Sequence, residues 1–440
     1  MASLCLYFVL FGLDQSFFRY YHEPPGSITV KRLFTHCINL TAIIFILFLG
    51  VSLFYKDYII SFISEDKLSF VYLLLCVNVL AMTIIRYSSI SYLLEQNALY
   101  YSIQSLLILA ASKLLIIIVG LFKPDYYWAL VSMNFSLVII TSYYLFKLIK
   151  EKYDFFNIKF DFEVTKEIAR YAIPLMPLTL IAWFNQSVSN IILRKNLGFE
   201  EVGIFSSGVA VASLISIVQI GFNTYWGTYV YANYKTENYR IKMVNRYITF
   251  LLVAFAIVIM MFQDVIYMII GPKYIGSKLF FAFLIVTPIC LTISDTTGLG
   301  IDISKKSYLH LISTSLSAFS NLLFCLLLLP LIGLTGAAIA SAIAGIIMLI
   351  TRTVIGERYY KCVQSYNILI MSIIVLILSS TISFVLNNNF LLRISLLLPL
   401  LLLMLFVHKK EAVKLITDVK GIILNAYAER MLSNGWYRKA

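Results

Sequence analysis

Charged side chains are what this sequence has least of. Only 13% of its 440 residues are Asp, Glu, Lys or Arg, 60% are hydrophobic, and the mean hydropathy is +0.88. That leaves too little polar surface to close around a water-soluble core. Acidic residues are scarcer still, 22 against 35 basic, for a net charge of +13. The basic residues sit in short loops between apolar runs and form no patch on a soluble domain, so anionic lipid headgroups are the expected partner and nucleic acid is not. Six cysteines, Cys5, Cys37, Cys76, Cys290, Cys325 and Cys362, are scattered with no CxxC, which indicates neither a disulfide framework nor a zinc site. The four histidines, His22, His36, His310 and His408, are equally isolated. No phosphate-binding glycine loop, zinc-protease motif or nucleophile elbow occurs, so no cofactor is expected and neither ATP hydrolysis nor covalent catalysis has a seat.

What is present is long apolar runs, of helix length and too long for barrel strands. They lie near 2–18, 33–55, 68–92, 98–122, 126–146, 171–193, 202–226, 247–270, 279–299, 308–331, 334–354, 366–386 and 390–407, thirteen in all. If loops alternate sides, one side holds 26 of the 35 Lys and Arg, the other holds eight, and Lys113 alone lies inside a span. The positive-inside rule then places the C-terminus in the cytoplasm and Met1 outside.

Internal similarity runs at a separation of 209 residues: Gly12 pairs with Gly221, Asp14 with Asn223, and Ser132 with Ser341. A repeat of this length with an even number of helices predicts two parallel lobes related by an axis along the membrane normal. At that offset, the counterpart of span 171–193 falls before Met1, so the first helix of the first lobe is expected to be missing. The predicted organisation is an all-α membrane protein: an N-lobe over 1–150, a charged cytoplasmic connector over 151–170, a C-lobe over 171–356, an added helix pair over 357–407, and a tail over 408–440. In that tail Leu415, Val419, Ile422 and Ile423 recur at helical spacing among lysines, the pattern of an interfacial amphipathic helix.

Several stretches, in order, resemble the Wzx-type polysaccharide flippases: "GLDQSFFRYY" (12–21), "YAIPLMP" (171–177), "LGFEEVGIFSSGVAVAS" (197–213), "IIGPKY" (269–274) and "GLTGAAIASAIAG" (333–345). These flippases share a superfamily with the lipid II flippases and the MATE multidrug exporters. The resemblance implies fourteen helices in two six-helix lobes plus a final pair, one helix more than this chain carries. It also implies a substrate, an oligosaccharide repeat unit on undecaprenyl pyrophosphate, flipped across the bacterial inner membrane by alternating access for O-antigen, capsule or exopolysaccharide synthesis. Implied partners are that lipid-linked glycan, membrane lipids, and the glycan polymerase and chain-length machinery. Where many relatives carry an Asp–Arg pair late in the first helix of the second lobe, this chain has Ser189 and Asn190. A charge-pair role has no residues to carry it there.

Flipping such a lipid needs cations for the pyrophosphate and polar or aromatic groups for the sugars, and ionisable groups within spans are the places to look. Lys113, ten residues from Lys123, is about 15 Å from the helix end, too far for easy snorkelling, and is a candidate phosphate contact; an inter-helix hydrogen bond is the plainer reading. Arg86 and Arg19, near inner helix ends, serve as headgroup anchors or as contacts at a cytoplasmic mouth. Asp14 is five residues from Arg19, off its helical face, and is a candidate for coupling; a helix-end hydrogen bond is the alternative. The strip "WFNQSVSN" sets Asn185 with Ser189 and Gln186 with Asn190 at i,i+4, with Trp183 as an aromatic plate. It suits sugar hydroxyls, or equally polar contacts between helices. The run of small residues over Gly336, Ala340, Ala344 and Ala337, Ser341, Gly345 predicts close helix packing. Three rival readings are a cation-coupled small-molecule or multidrug antiporter on the same fold, which needs cavity carboxylates, a membrane enzyme such as a glycan polymerase or acyltransferase, which needs a sizeable outer loop or a His–acid pair that the sequence does not show, and a truncated inactive product.

Overall fold

A backbone group left unpaired in hydrocarbon costs several kcal/mol, and this chain avoids that with helix. The computed structural model describes residues 1–21, 24–63, 69–95, 97–123, 125–153, 161–304, 306, 308–409 and 411, with no strand among them. The expected amphipathic helix of the tail lies outside the described residues.

The chain forms two compact units, residues 1–183 and 184–440. The first holds α1 (Ala2–Leu10), α2 (Leu13–Tyr20), α3 (Val30–Phe54), α4 (Lys56–Ile63), α5 (Ser69–Leu94), α6 (Ala98–Phe122), α7 (Tyr126–Lys152) and most of α8 (Phe162–Leu197). Short polar side chains start these helices: Thr29, Asn97 and Asp125 each accept a hydrogen bond from a backbone N–H of the first turn. The run at 2–18 is not one helix. Phe11 (φ 48°) and Gly12 (φ 77°) turn left-handed between α1 and α2. A Cβ on Gly12 would lie 2.6 Å from the carbonyl oxygen of Ala172 in α8. Beside it, Ser16 Oγ donates to the carbonyl of Ile168 at 3.1 Å. These contacts tie the start of α8 to the first unit. They draw the first half of α8 into this unit, so the compact division falls at 183/184 and not in the charged connector, and α8 starts at Phe162 because Asp161 Oδ1 accepts from the backbone N–H groups of Glu163 and Val164. Phe34 packs edge-on against Phe17 and Tyr87 at the centre of this unit.

The second unit continues from α8 with α9 (Phe199–Ala212), α10 (Leu214–Asn233), α11 (Asn238–Met261), α12 (Gln263–Ile270), a 3-10 stretch at Pro272–Leu279, α13 (Phe281–Thr297), α14 (Leu299–Ile303), α15 (Tyr308–Ile332), α16 (Leu334–Glu357), α17 (Tyr366–Val385) and α18 (Phe390–Val407). α13 is central, packed against α9, α10, α11, α16 and α17. As the small-residue run predicts, α16 lies tight on its neighbours: a Cβ on Gly336 would reach 2.4 Å from the Leu328 carbonyl, and one on Gly345 2.9 Å from Thr287. α17 and α18 join this unit. Arg393, fully buried, bonds Asp264 and the carbonyls of Leu386 and Asn387, and Asp264 also takes Lys278 at 2.5 Å.

Ten of the described helical segments are long and apolar enough to cross a membrane, eleven with the 65° bent pair Pro272–Leu279 and Phe281–Thr297. The other two of the thirteen runs are the broken α1–α2 and the Pro-containing α8. The repeat is visible in the elements: α3, α4, α5, α6 and α7 start at 30, 56, 69, 98 and 126, and α11, α12, α13, α15 and α16 at 238, 263, 281, 308 and 334. Pairings recur as well, α7 packing on α5 and α6 as α16 packs on α13 and α15.

Candidate functional site

Asp14 is the first buried charge along the chain, 5% exposed in the first turn of α2. Its carboxylate accepts from Arg86 Nε of α5 at 2.9 Å and from Gln15 Nε2 at 3.1 Å. Arg86 is half-exposed, and its two terminal nitrogens have no partner among the described residues. A guanidinium held through Nε presents its outer N–H edge in a fixed plane, the geometry that receives phosphate oxygens in pairs. Arg19, exposed near the end of α2, lies 6.0 Å from the ring of Tyr20. Lys113 stands exposed on α6, flanked by exposed Leu114 and Ile117, and makes no ion pair among the described residues.

The equivalent place in the second unit inverts the charge. Asn223 in α10 and Asp295 in α13 are 72 residues apart, as Asp14 and Arg86 are, and Asn223 Nδ2 donates to Asp295 at 2.8 Å. Asp295 also accepts from Gln219 Nε2 at 3.3 Å and from Arg352 Nη1 at 2.9 Å. Beside it a cavity of about 180 Å³ is lined by Asn223, Trp226, Asp295, Asp302 and His310 among others, with His310 Nε2 at 2.8 Å from Asp302.

A larger chamber of about 520 Å³ opens in the second unit, walled by α8, α9, α10, α13, α15 and α16. Four of the strip residues read from the sequence, Asn185, Gln186, Ser189 and Asn190, line it; Trp183, half-buried, does not. The structure adds the partners. Asn185 Nδ2 donates to Ser317 Oγ at 3.3 Å, Ser189 Oγ to Asn321 Oδ1 at 3.4 Å and is 3.3 Å from Ser341 Oγ, and Asn321 Nδ2 donates to the Asn185 carbonyl at 3.3 Å. None of its lining residues is charged. Ser317 and Asn321 are 132 residues from their α8 partners, and no local spacing announces them. The six cysteines are free and buried, and no group of three His, Cys, Asp or Glu side chains fit for a metal occurs among the described residues.

Residues 1–226, more than half of the chain, match the model of a family described as polysaccharide biosynthesis protein. The chain belongs to that family. No curated protein matches it. Among solved structures, the lipid II flippase MurJ in an inward closed conformation is similar over 93% of this chain and 93% of its own, with a TM-score of 0.65 and 16% identity. A crystal structure of a MATE mutant is similar over 81% of this chain and 85% of its own, with a TM-score of 0.56 and 17% identity. The polysaccharide biosynthesis protein described here therefore has the fold shared by those two transporters, as its sequence resemblance implied.

Proposed function

We propose that this multi-pass membrane protein is a Wzx-type flippase. It carries undecaprenyl-pyrophosphate-linked oligosaccharide repeat units from the cytoplasmic to the periplasmic leaflet of the inner membrane, for O-antigen, capsule or exopolysaccharide synthesis, with its C-terminus in the cytoplasm. One observation carries the reading: the 2.9 Å bond from Arg86 to Asp14. An antiporter for cationic drugs needs a carboxylate free to meet its cargo, and the best first-lobe candidate is engaged with an arginine. What is left exposed there is cationic: Arg86, with Arg19 and Lys113 as further contacts for the anionic headgroup. Trp183, Asn185, Ser189 and Asn190 remain candidates on the glycan side. Asp14 acts as a positioning residue in this scheme, and coupling through it works by loosening its hold on Arg86. The cycle involves no covalent step, so work is done by binding and by rearrangement of the lobes.

The test is flipping of a fluorescent polyprenyl-pyrophosphate glycan in proteoliposomes. Losing a charge-assisted hydrogen bond to phosphate costs about 1.5–3 kcal/mol, so Arg86→Ala is expected to slow flipping about tenfold or more. Arg86→Lys, which keeps the charge without the planar fork, falls between. Unimpaired flipping by Arg86→Ala, or Asp14-dependent efflux of an organic cation by the unmutated protein, rejects the reading.

A further inference from the structure

The 520 Å³ chamber of the second unit is built from two interruptions of regular helix. Pro288 in α13 has no N–H to offer the Leu284 carbonyl one turn back, and both residues line the chamber. Ser213, where α9 stops and α10 starts, lines it too. Irregular backbone persists at membrane depth where protein covers it or where it borders polar contents. Around these breaks stand amides and hydroxyls, and Asn190 Oδ1 is buried with no partner among the described residues. Gln186, Val209 and Ser213 are exposed, so the chamber opens between α8 and α9.

We infer that this chamber receives a neutral glycosyl residue of the cargo, an inference that rests on the function proposed above. Size argues against a bare metal ion. The volume equals that of on the order of seventeen waters at ~30 Å³ each, whereas hard cations hold oxygens within ~2.6 Å. It lies instead in the ~300–1,000 Å³ range of small-molecule pockets. Charge argues against the pyrophosphate, since no lining residue would neutralise it. A sugar ring presents hydroxyls that donate and accept at once, which the amides of Asn185, Asn190 and Asn321 and the hydroxyls of Ser189, Ser317 and Ser341 match group for group. Phe205 and Leu291 supply apolar wall for its C–H face. The chamber thus reads the glycan, while Arg86 serves the part of the cargo common to every glycan.

The six native cysteines are buried, so a cysteine at the mouth reports alone. Ser213→Cys and, independently, Gln186→Cys are introduced into the full chain in proteoliposomes and labelled with a charged maleimide. Labelling is followed with undecaprenyl pyrophosphate bearing a neutral trisaccharide, with the same lipid lacking sugar, and with sodium chloride alone. At a glycolipid concentration of about ten times its Kd, labelling is expected to slow about tenfold, with no slowing by the bare lipid or by sodium. Adding Asn321→Leu is expected to abolish the protection. Equal protection by both lipids, or protection by sodium, overturns the inference. Flipping of the glycolipid without protection overturns it while leaving the proposed function standing. A chain that does not flip the glycolipid at all removes both.

Discussion

The Arg86–Asp14 bond holds a guanidinium of α5 against the first turn of α2. Both residues stand out as charges in apolar runs, and the five-residue spacing correctly separates Asp14 from Arg19. Their mutual bond spans 72 residues and two helices, beyond any i,i+4 rule. The strip Asn185, Ser189 and Asn190 was legible for the opposite reason, since its members share one helix and local periodicity brings them together. Their partners Ser317, Asn321 and Ser341 depend on how α15 and α16 pack, which composition does not encode. Lys113 lies within α6, exposed and without an ion pair among the described residues. A lysine near the centre of a membrane-spanning helix costs about 3 kcal/mol on insertion scales. That cost makes sense if the cation meets cargo. Lys113→Ala is therefore expected to reduce surface glycan without reducing membrane abundance, and Lys113→Arg to retain more. Normal export by the Ala variant would show that Lys113 makes no contact with the cargo phosphate.

Whole helices are sensitive to features that individual side chains hide. α14 touches α16 so closely that a Cβ on Gly300 would lie 1.9 Å from the Gly356 carbonyl, whereas one on Gly221 meets nothing within 4 Å. Backbone cannot yield as a side-chain tip can, so Gly300→Ala is expected to cost about 2 kcal/mol or more, read as a lower melting temperature in detergent. Gly221→Ala should leave it unchanged, and equal effects would show that α14 can shift aside. α18 ends on a different device. His408 follows its last turn, fully buried, with Nε2 3.1 Å from Ser372 Oγ, its ring 5.5 Å from Phe250, and Nδ1 4.0 Å from Glu411, which Arg246 holds at 3.0 Å. Burial, with Arg246 adding to it and Glu411 opposing it, lowers the His408 pKa from 6.5 to about 4. The unfolded state thus binds a proton that the folded state refuses between those values. Stability from this site is whole above about pH 6.5 and falls by about 1.4 kcal/mol per unit on acidification towards about 4. Melting curves across that window should show the slope, and His408→Gln should flatten it; an unchanged slope would assign the acid sensitivity elsewhere.

Across the whole molecule, the register of the fold was written plainly. Thirteen apolar runs map onto helices because in hydrocarbon no other backbone arrangement of that length satisfies its own hydrogen bonds. The 209-residue echo of Gly12, Asp14 and Ser132 foretold helices that restart in the same order. Breaks were less legible: Phe11–Gly12 and Ser213 interrupt runs with no loss of hydropathy, and at Gly12 the left-handed turn goes with close packing on Ala172, which composition does not encode. The division within α8 was hidden likewise, since it depends on Ser16 and Gly12 gripping Ile168 and Ala172. The duplicated polar pair has one more consequence, which concerns fault tolerance. Asp295 has three partners, Asn223, Gln219 and Arg352, drawn from α10 and α16, so the loss of any one leaves two. Asp14 has Arg86 and its own neighbour Gln15, so losing Arg86 leaves the carboxylate with no tie to another helix. One half of the duplication can absorb a random substitution at this position, and the other carries it as a single point of failure.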